Sequence, residues 1–162
     1  MTRTAATFFV DTSCIIAAVC GWHQHHPEAA AEIERRLEGK ERLATAAHAL
    51  AEAYAVLTRM PAPHRLAPTD ALALLEGNFI DGARVIALDA EGYRSLLKRA
   101  ASDGVSGGRT YDAIIAESAV RAQAATLLTF NALHFQALDA ARVRVVVPSL
   151  ERGEADEEKR RG

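Results

Sequence analysis

Five short apolar runs recur along the chain, and segments with helical periodicity separate them. The runs are Thr7–Val10, Arg42–Ala44, Val85–Leu88, Thr126–Leu128 and Val143–Val147. Several are apolar at every position instead of alternating, the pattern of strands buried on both faces. Between them the periodicity predicts helices over Pro27–Leu37, from Thr45 or Ala46 to Arg59, and over Pro68–Leu75, Asp89–Ala101 and Thr110–Gln123. A short piece falls around Leu133–Leu138. Pro61-Ala62-Pro63 and Ser106-Gly107-Gly108 punctuate the loops. Strand and helix in alternation predict an α/β layer fold around a mostly parallel sheet.

The length of 162 residues is enough for one domain with a real core, expected over residues 1–150. Residues 151–162 are almost all charged or small and carry no apolar anchor, so a disordered tail is expected there. Lys and Arg number 19 against 21 Asp and Glu, a formal charge of −2, which argues against nucleic-acid binding through bulk positive charge. Two cysteines, Cys14 and Cys20, fall in what reads as one helix, which suits a reducing cytoplasm. No run approaches the roughly 20 apolar residues of a membrane span, and the apolar start is too short and too soon interrupted for a signal peptide.

The chemistry lies in where the acids fall. Asp11 ends the first strand, at the edge where open parallel sheets gather their ligand sites. It is followed by Thr12 and Ser13, and capping the next helix is the equally plain reading of this stretch. Glu52 sits in a helix apolar nearly all round, with Leu50, Tyr54 and Leu57 expected on one stripe and Ala49 and Val56 beside the acid. A carboxylate buried there costs several kcal/mol unless a base or a metal neutralises it; the alternative is an exposed Glu52 on a helix rich in alanine for its propensity. Asp112 opens a helix, where the dipole favours an acid, yet Ile115, Ala116 and Ala119 share its face and turn it inward. Glu117, one turn before Arg121, reads as an ordinary exposed pair. Asn131 follows the fourth strand, either as a turn former or as a neighbour to Asp11. Acids from three distant segments suit a hard divalent cation held by oxygens, Mg²⁺ or Mn²⁺.

These residues resemble the PIN-domain ribonucleases, and in particular the VapC-type toxins of bacterial toxin–antitoxin pairs. Val10-Asp11-Thr12-Ser13 resembles the opening motif with its first acid. Glu52, in the stretch from Ala51 to Arg59, resembles the second acid on the central helix. Gly107–Ala113 is similar to the approach to the third acid, Asp112, and Leu127–Asn131 through His134-Phe135 to the closing motif. The resemblance spans about Phe9 to Val147. It implies a PIN-like three-layer fold whose five-stranded sheet has the order 3-2-1-4-5, Mg²⁺- or Mn²⁺-dependent endonucleolytic RNA cleavage, a homodimer and a cognate antitoxin. Asp11, Glu52 and Asp112 would be catalytic and metal-binding, with Thr12, Ser13 and Thr129 supporting them. Many members carry an acid where this chain has Asn131. The amide weakens the attraction for a second cation, so one ion held mainly by Asp11 and Asp112 is expected, with Glu52 and Asn131 reaching it through water.

Other signals are weaker. His23, His25 and His26 invite a zinc reading, but no cysteine at ligand spacing completes it, and a solvated loop entering a helix explains them. His48 shares a helix row with Glu52, and Trp22 is the sole tryptophan, suited to packing or a partner contact. Arg59, Arg65 and Arg109 lie in or beside loops within reach of phosphates, although solvated arginine is the default for each. A phosphoaspartate phosphatase would want a second Asp where Ser13 stands, and a dinucleotide-binding domain would want G-x-G-x-x-G after the first strand. The remaining alternative is a PIN-fold module that binds RNA or an antitoxin without cutting.

Overall fold

The structure, a computed structural model, describes residues 4–151 together with 158, 159 and 161. The expected tail therefore falls largely outside the described residues. Five strands, β1 (Thr7–Val10), β2 (Arg42–Ala46), β3 (Arg84–Ile86), β4 (Thr126–Leu128) and β5 (Arg144–Val146), form one sheet in the order β3-β2-β1-β4-β5. Every pairing in it is parallel. The helices are α1 (Thr12–Val19), α2 (His26–Glu38), α3 (Ala47–Arg59), α4 (Pro68–Leu75), α5 (Ala90–Ser102) and α6 (Arg109–Arg121). A π-helical turn, Glu76–Ile80, extends α4, and a 3₁₀ segment, Ala132–Ala141, leads into β5. This is the expected α/β architecture, with helices flanking a central sheet.

The strand at the centre of the order is also the most apolar. Phe8, Phe9 and Val10 are wholly buried, as are Leu127 and Leu128 beside them on β4. Each such side chain contributes about 1.5–3 kcal/mol through burial, so β1 and β4 anchor the sheet. The edges read differently from the sequence pattern: Val85 on β3 and Val147 just beyond β5 are partly exposed, because an edge strand has a neighbour on one side only. Thr45 belongs to β2 instead of opening α3, and its hydroxyl donates to the Val10 carbonyl at 2.9 Å, stitching β2 to β1.

The apolar face of α3 also differs from expectation. Ala49, Ala53 and Leu57 form the buried row, and Tyr54 is exposed. Small alanines let α3 approach closely, and this rotation of the helix carries Glu52 to the side of the buried row instead of into it.

Candidate active site

The chain order places β2 and β3 on one side of β1, and β4 and β5 on the other. The connections thus reverse direction between β1 and β4, and the crevice beyond their carboxyl ends is where such sheets bind ligands. Asp11 follows β1 directly and Thr129 follows β4 directly, so both enter this crevice by chain position alone.

Asp11 is 3% exposed and bonded on both oxygens. Its Oδ1 accepts from Ser13 Oγ at 2.7 Å and from the Cys14 N–H at 2.9 Å, which makes it the N-cap of α1 as well. Its Oδ2 accepts from Thr129 Oγ1 at 2.5 Å. Burial pushes its pKa above the ordinary value; the Thr129, Ser13 and Cys14 bonds oppose this, and the charge of Asp112 adds to it. The two readings of Asp11 are therefore compatible, since one oxygen caps the helix while the carboxylate lines a cavity.

That cavity, of about 240 Å³, is walled by Asp11, Thr12, Ser13, Glu52, Asp112 and Asn131, with Ile16 and Ile115 as its apolar parts. Four separate segments meet there: the end of β1, the middle of α3, the first turn of α6 and the turn after β4. Glu52 stands at its rim with a third of its side chain exposed, not packed among alanines as the periodicity suggested. Thr12 Oγ1 donates to Glu52 Oε1 at 3.4 Å. His48 Nε2 lies 2.9 Å from the same oxygen without hydrogen-bond alignment. Asp112 Oδ2 is 3.0 Å from Nδ1 of His134, which lies in the stretch similar to the closing motif. Its signal was indirect, a histidine three residues beyond Asn131 in a one-turn 3₁₀ register.

Thr129 is the keystone of the turn. Wholly buried, it donates to Asp11 and accepts from the Asn131 N–H at 2.9 Å, so the same hydroxyl holds the acid and sets the turn that presents the amide. Ser13 does the equivalent across the cleft, donating to Asp11 and accepting from the Phe130 N–H at 3.0 Å.

The donor set is all oxygen, and it includes a nearly dry carboxylate repelled by a second one. That chemistry fits a hard divalent cation. Among the described residues no three His, Cys, Asp or Glu side chains form a ready-made metal cage, for the triad here or for the histidines of the α1–α2 turn. Mg²⁺ tolerates this, because it keeps several waters and needs only one or two carboxylates directly. The arginines fare unevenly. Arg109 lines a larger groove of about 370 Å³ that shares Asp112 with the acid cavity and is also walled by His134, while Arg59 and Arg65 are exposed and absent from both linings. Arg65 Nε instead donates to the Met60 carbonyl at 2.9 Å.

A doubly wound parallel sheet with acids at its switch point defines the class, and the PIN domain profile matches residues 8–141. The chain belongs to the PIN domain family. It is 38% identical to Ribonuclease VapC40 of Mycobacterium tuberculosis over 135 residues, 83% of this chain and 94% of that protein. It is also 38% identical over 119 residues to Ribonuclease VapC27 of the same organism, covering 72% and 81% of the two chains. Among solved structures, the DNA-bound VapBC from Salmonella typhimurium shares the fold with a TM-score of 0.60 and 22% identity, over 88% of this chain and 98% of that one. The Mycobacterium tuberculosis toxin VapC20, which cleaves the sarcin–ricin loop, shares it at a TM-score of 0.55 and 19% identity, over 75% and 87%. No helix among the described residues is long and apolar enough to cross a membrane.

Proposed function

We propose that this chain is an endoribonuclease of the VapC toxin type that works with Mg²⁺ or Mn²⁺. The observation that carries the reading is the meeting of Asp11, Glu52, Asp112 and Asn131 from four segments in one cavity at the switch point of the sheet. The named relatives, ribonucleases similar over most of their length, support the substrate class. Asp11 and Asp112 would hold the ion, with Glu52 and Asn131 reaching it through water. When bound, such an ion lowers the pKa of water and stabilises charge on a phosphoryl group. The chain's own part is positional and acid–base. Ser13, Cys14 and Thr129 lock Asp11 in one orientation. Asp112 or Glu52 takes the proton of the attacking water, each from a position beside an imidazole.

The partners follow from the same likeness. Solved neighbours include VapBC complexes, which supports a cognate antitoxin. A homodimer, seated on the exposed apolar side chains of α2 or α3 such as Leu37 and Tyr54, completes the proposal, and the cytoplasm is its setting.

One observation favours a second reading. Asn131 replaces an acid and the described residues make no closed cage, as suits a PIN-fold module that binds RNA or an antitoxin without cutting. Incubating the purified chain with single-stranded RNA separates the two. Cleavage that needs Mg²⁺ or Mn²⁺ and stops with EDTA is expected; RNA left intact at every metal concentration refutes the nuclease.

A further inference from the structure

A row of aromatic rings runs from the α3–α4 loop to the acid cavity. His64 stacks on Trp22 at 4.0 Å between centroids, Trp22 lies 6.0 Å from His23, His23 lies 5.8 Å from His25, and His25 stacks on Phe130 at 4.5 Å and 12°. The outer end is open to solvent: Trp22 is 48% exposed and His64 is exposed as well. At the inner end a second cavity, of about 340 Å³, is bordered by His23, Gln24, His25 and Phe130. Its remaining wall, Ser13, Ile16 and Asn131, also belongs to the acid cavity, so the two are neighbours across a shared partition. The volume lies within the roughly 300–1,000 Å³ of small-ligand sites.

The rings are held in place by the backbone. The His23 N–H donates to the Cys20 carbonyl at 2.9 Å, the His26 N–H to the His23 carbonyl at 2.9 Å, and the His25 N–H to His23 Nδ1 at 3.1 Å. That last bond leaves the His23 hydrogen on Nε2, an imidazole donor rather than a charge. Burial and the neighbouring histidines keep its pKa low in the same sense. His26 turns away, donating from Nδ1 to the Ala17 carbonyl at 2.9 Å. At the inner end the Phe130 N–H is tied to Ser13 Oγ, which also holds Asp11, so ring and acid share one anchor.

We propose that this ring row and its inner cavity bind the bases of single-stranded RNA, with one base in the cavity stacked on the His25–Phe130 pair and further bases on Trp22 and His64. The inference rests on the nuclease reading, because the acid cavity sets where the backbone passes. Ring pairs that keep part of their surface exposed suit unpaired bases, which stack on any aromatic surface. Gln24, His23 Nε2 and the Asn131 amide supply the donors and acceptors that a base edge needs. Lack of bulk positive charge makes such a track more necessary, since phosphate attraction alone has little to work with.

Trp22 is the only tryptophan, so its emission reports on the track directly. The full chain in EDTA is titrated with oligoadenylate and with an abasic strand of equal length, which keeps the phosphates and loses the bases. Oligoadenylate should quench Trp22 and the abasic strand should not. By anisotropy of labelled strands, Trp22→Ala, His25→Ala and Phe130→Leu should each weaken oligoadenylate binding roughly five- to hundredfold, with abasic binding unchanged. Trp22→Ala alters an exposed position, so it keeps the test valid if Phe130→Leu melts early. Equal affinity for both strands, or no quenching of Trp22 by oligoadenylate, overturns the proposal. Base-dependent binding without cleavage in either Mg²⁺ or Mn²⁺ sustains the track and refutes the nuclease; cleavage without base dependence does the reverse.

Discussion

Replacing Thr129 with valine removes one hydroxyl from a wholly buried site at almost constant volume, so the effect isolates hydrogen bonding. Asp11 Oδ2 loses its donor and the Asn131 N–H loses its acceptor. Asn131 is exposed and water can take over its N–H, so the charged partner dominates. A hydrogen bond to an ionised group is worth about 1.5–3 kcal/mol. At about 2–4 °C per kcal/mol for a chain of this size, melting should fall by about 3–12 °C without metal once the pH is high enough to ionise Asp11 in the folded chain. The pH dependence has a definite sign. The pKa of Asp11 is already raised by burial, so the folded chain keeps its proton longer than the unfolded one. Stability therefore declines as pH climbs from the usual carboxylate value near about 4 through the folded value. Thr129 is the largest influence holding that pKa down, so valine raises it further and widens the declining range. The penalty should be near about 1 kcal/mol below that range, where a neutral bond is lost, and grow above it. Urea unfolding in EDTA at acid and neutral pH measures this, with Thr129→Ser keeping the hydroxyl as a control. A double-mutant cycle with Asp11→Asn should show coupling. A penalty independent of pH, or coupling under about 0.5 kcal/mol, refutes the assignment of this bond as the support of Asp11.

Asp11→Asn and Asp112→Asn should each lower cleavage roughly 10²–10⁴-fold while melting stays equal or rises, because an amide still caps α1 and one of two repelling charges is gone. Unfolding of either variant would mark that residue as structural. Asn131→Asp should lower the Mg²⁺ concentration for half-maximal cleavage, and Asn131→Ala should be milder than loss of any acid; an alanine variant as inactive as Asp11→Ala would make the amide a direct ligand or substrate contact. In light scattering at micromolar concentration the chain should be a dimer, and a strict monomer would remove the proposed α2 or α3 contact.

Much of the molecule follows from short-range pattern. Short continuous apolar runs suit strands covered on both faces, and β1 and β4 lie where those runs are strongest. Pro68 opens α4 and Asp89 caps α5, since a fixed φ and a side-chain acceptor act within one turn of their own position. The Glu117–Arg121 pair, at 3.3 Å, is legible for the same reason. Sheet order is another matter, and it became expected only through likeness to a family. The π-helical extension of α4 carried no signal, because a single turn of five residues is too short to show a period of its own.

The sequence by itself determined which acids are available and which strand ends carry Asp11 and Asn131. It could not settle how α3 is rotated, because an alanine-rich helix offers several nearly equal apolar faces, and the choice of Ala49, Ala53 and Leu57 put Glu52 at the rim. Nor could it tell that His134 would meet Asp112, or that Trp22, His25, His64 and Phe130 would join one row of rings. Those contacts link residues that the chain separates by up to 105 positions, His25 to Phe130, so only the packing of the helices against the sheet brings them together.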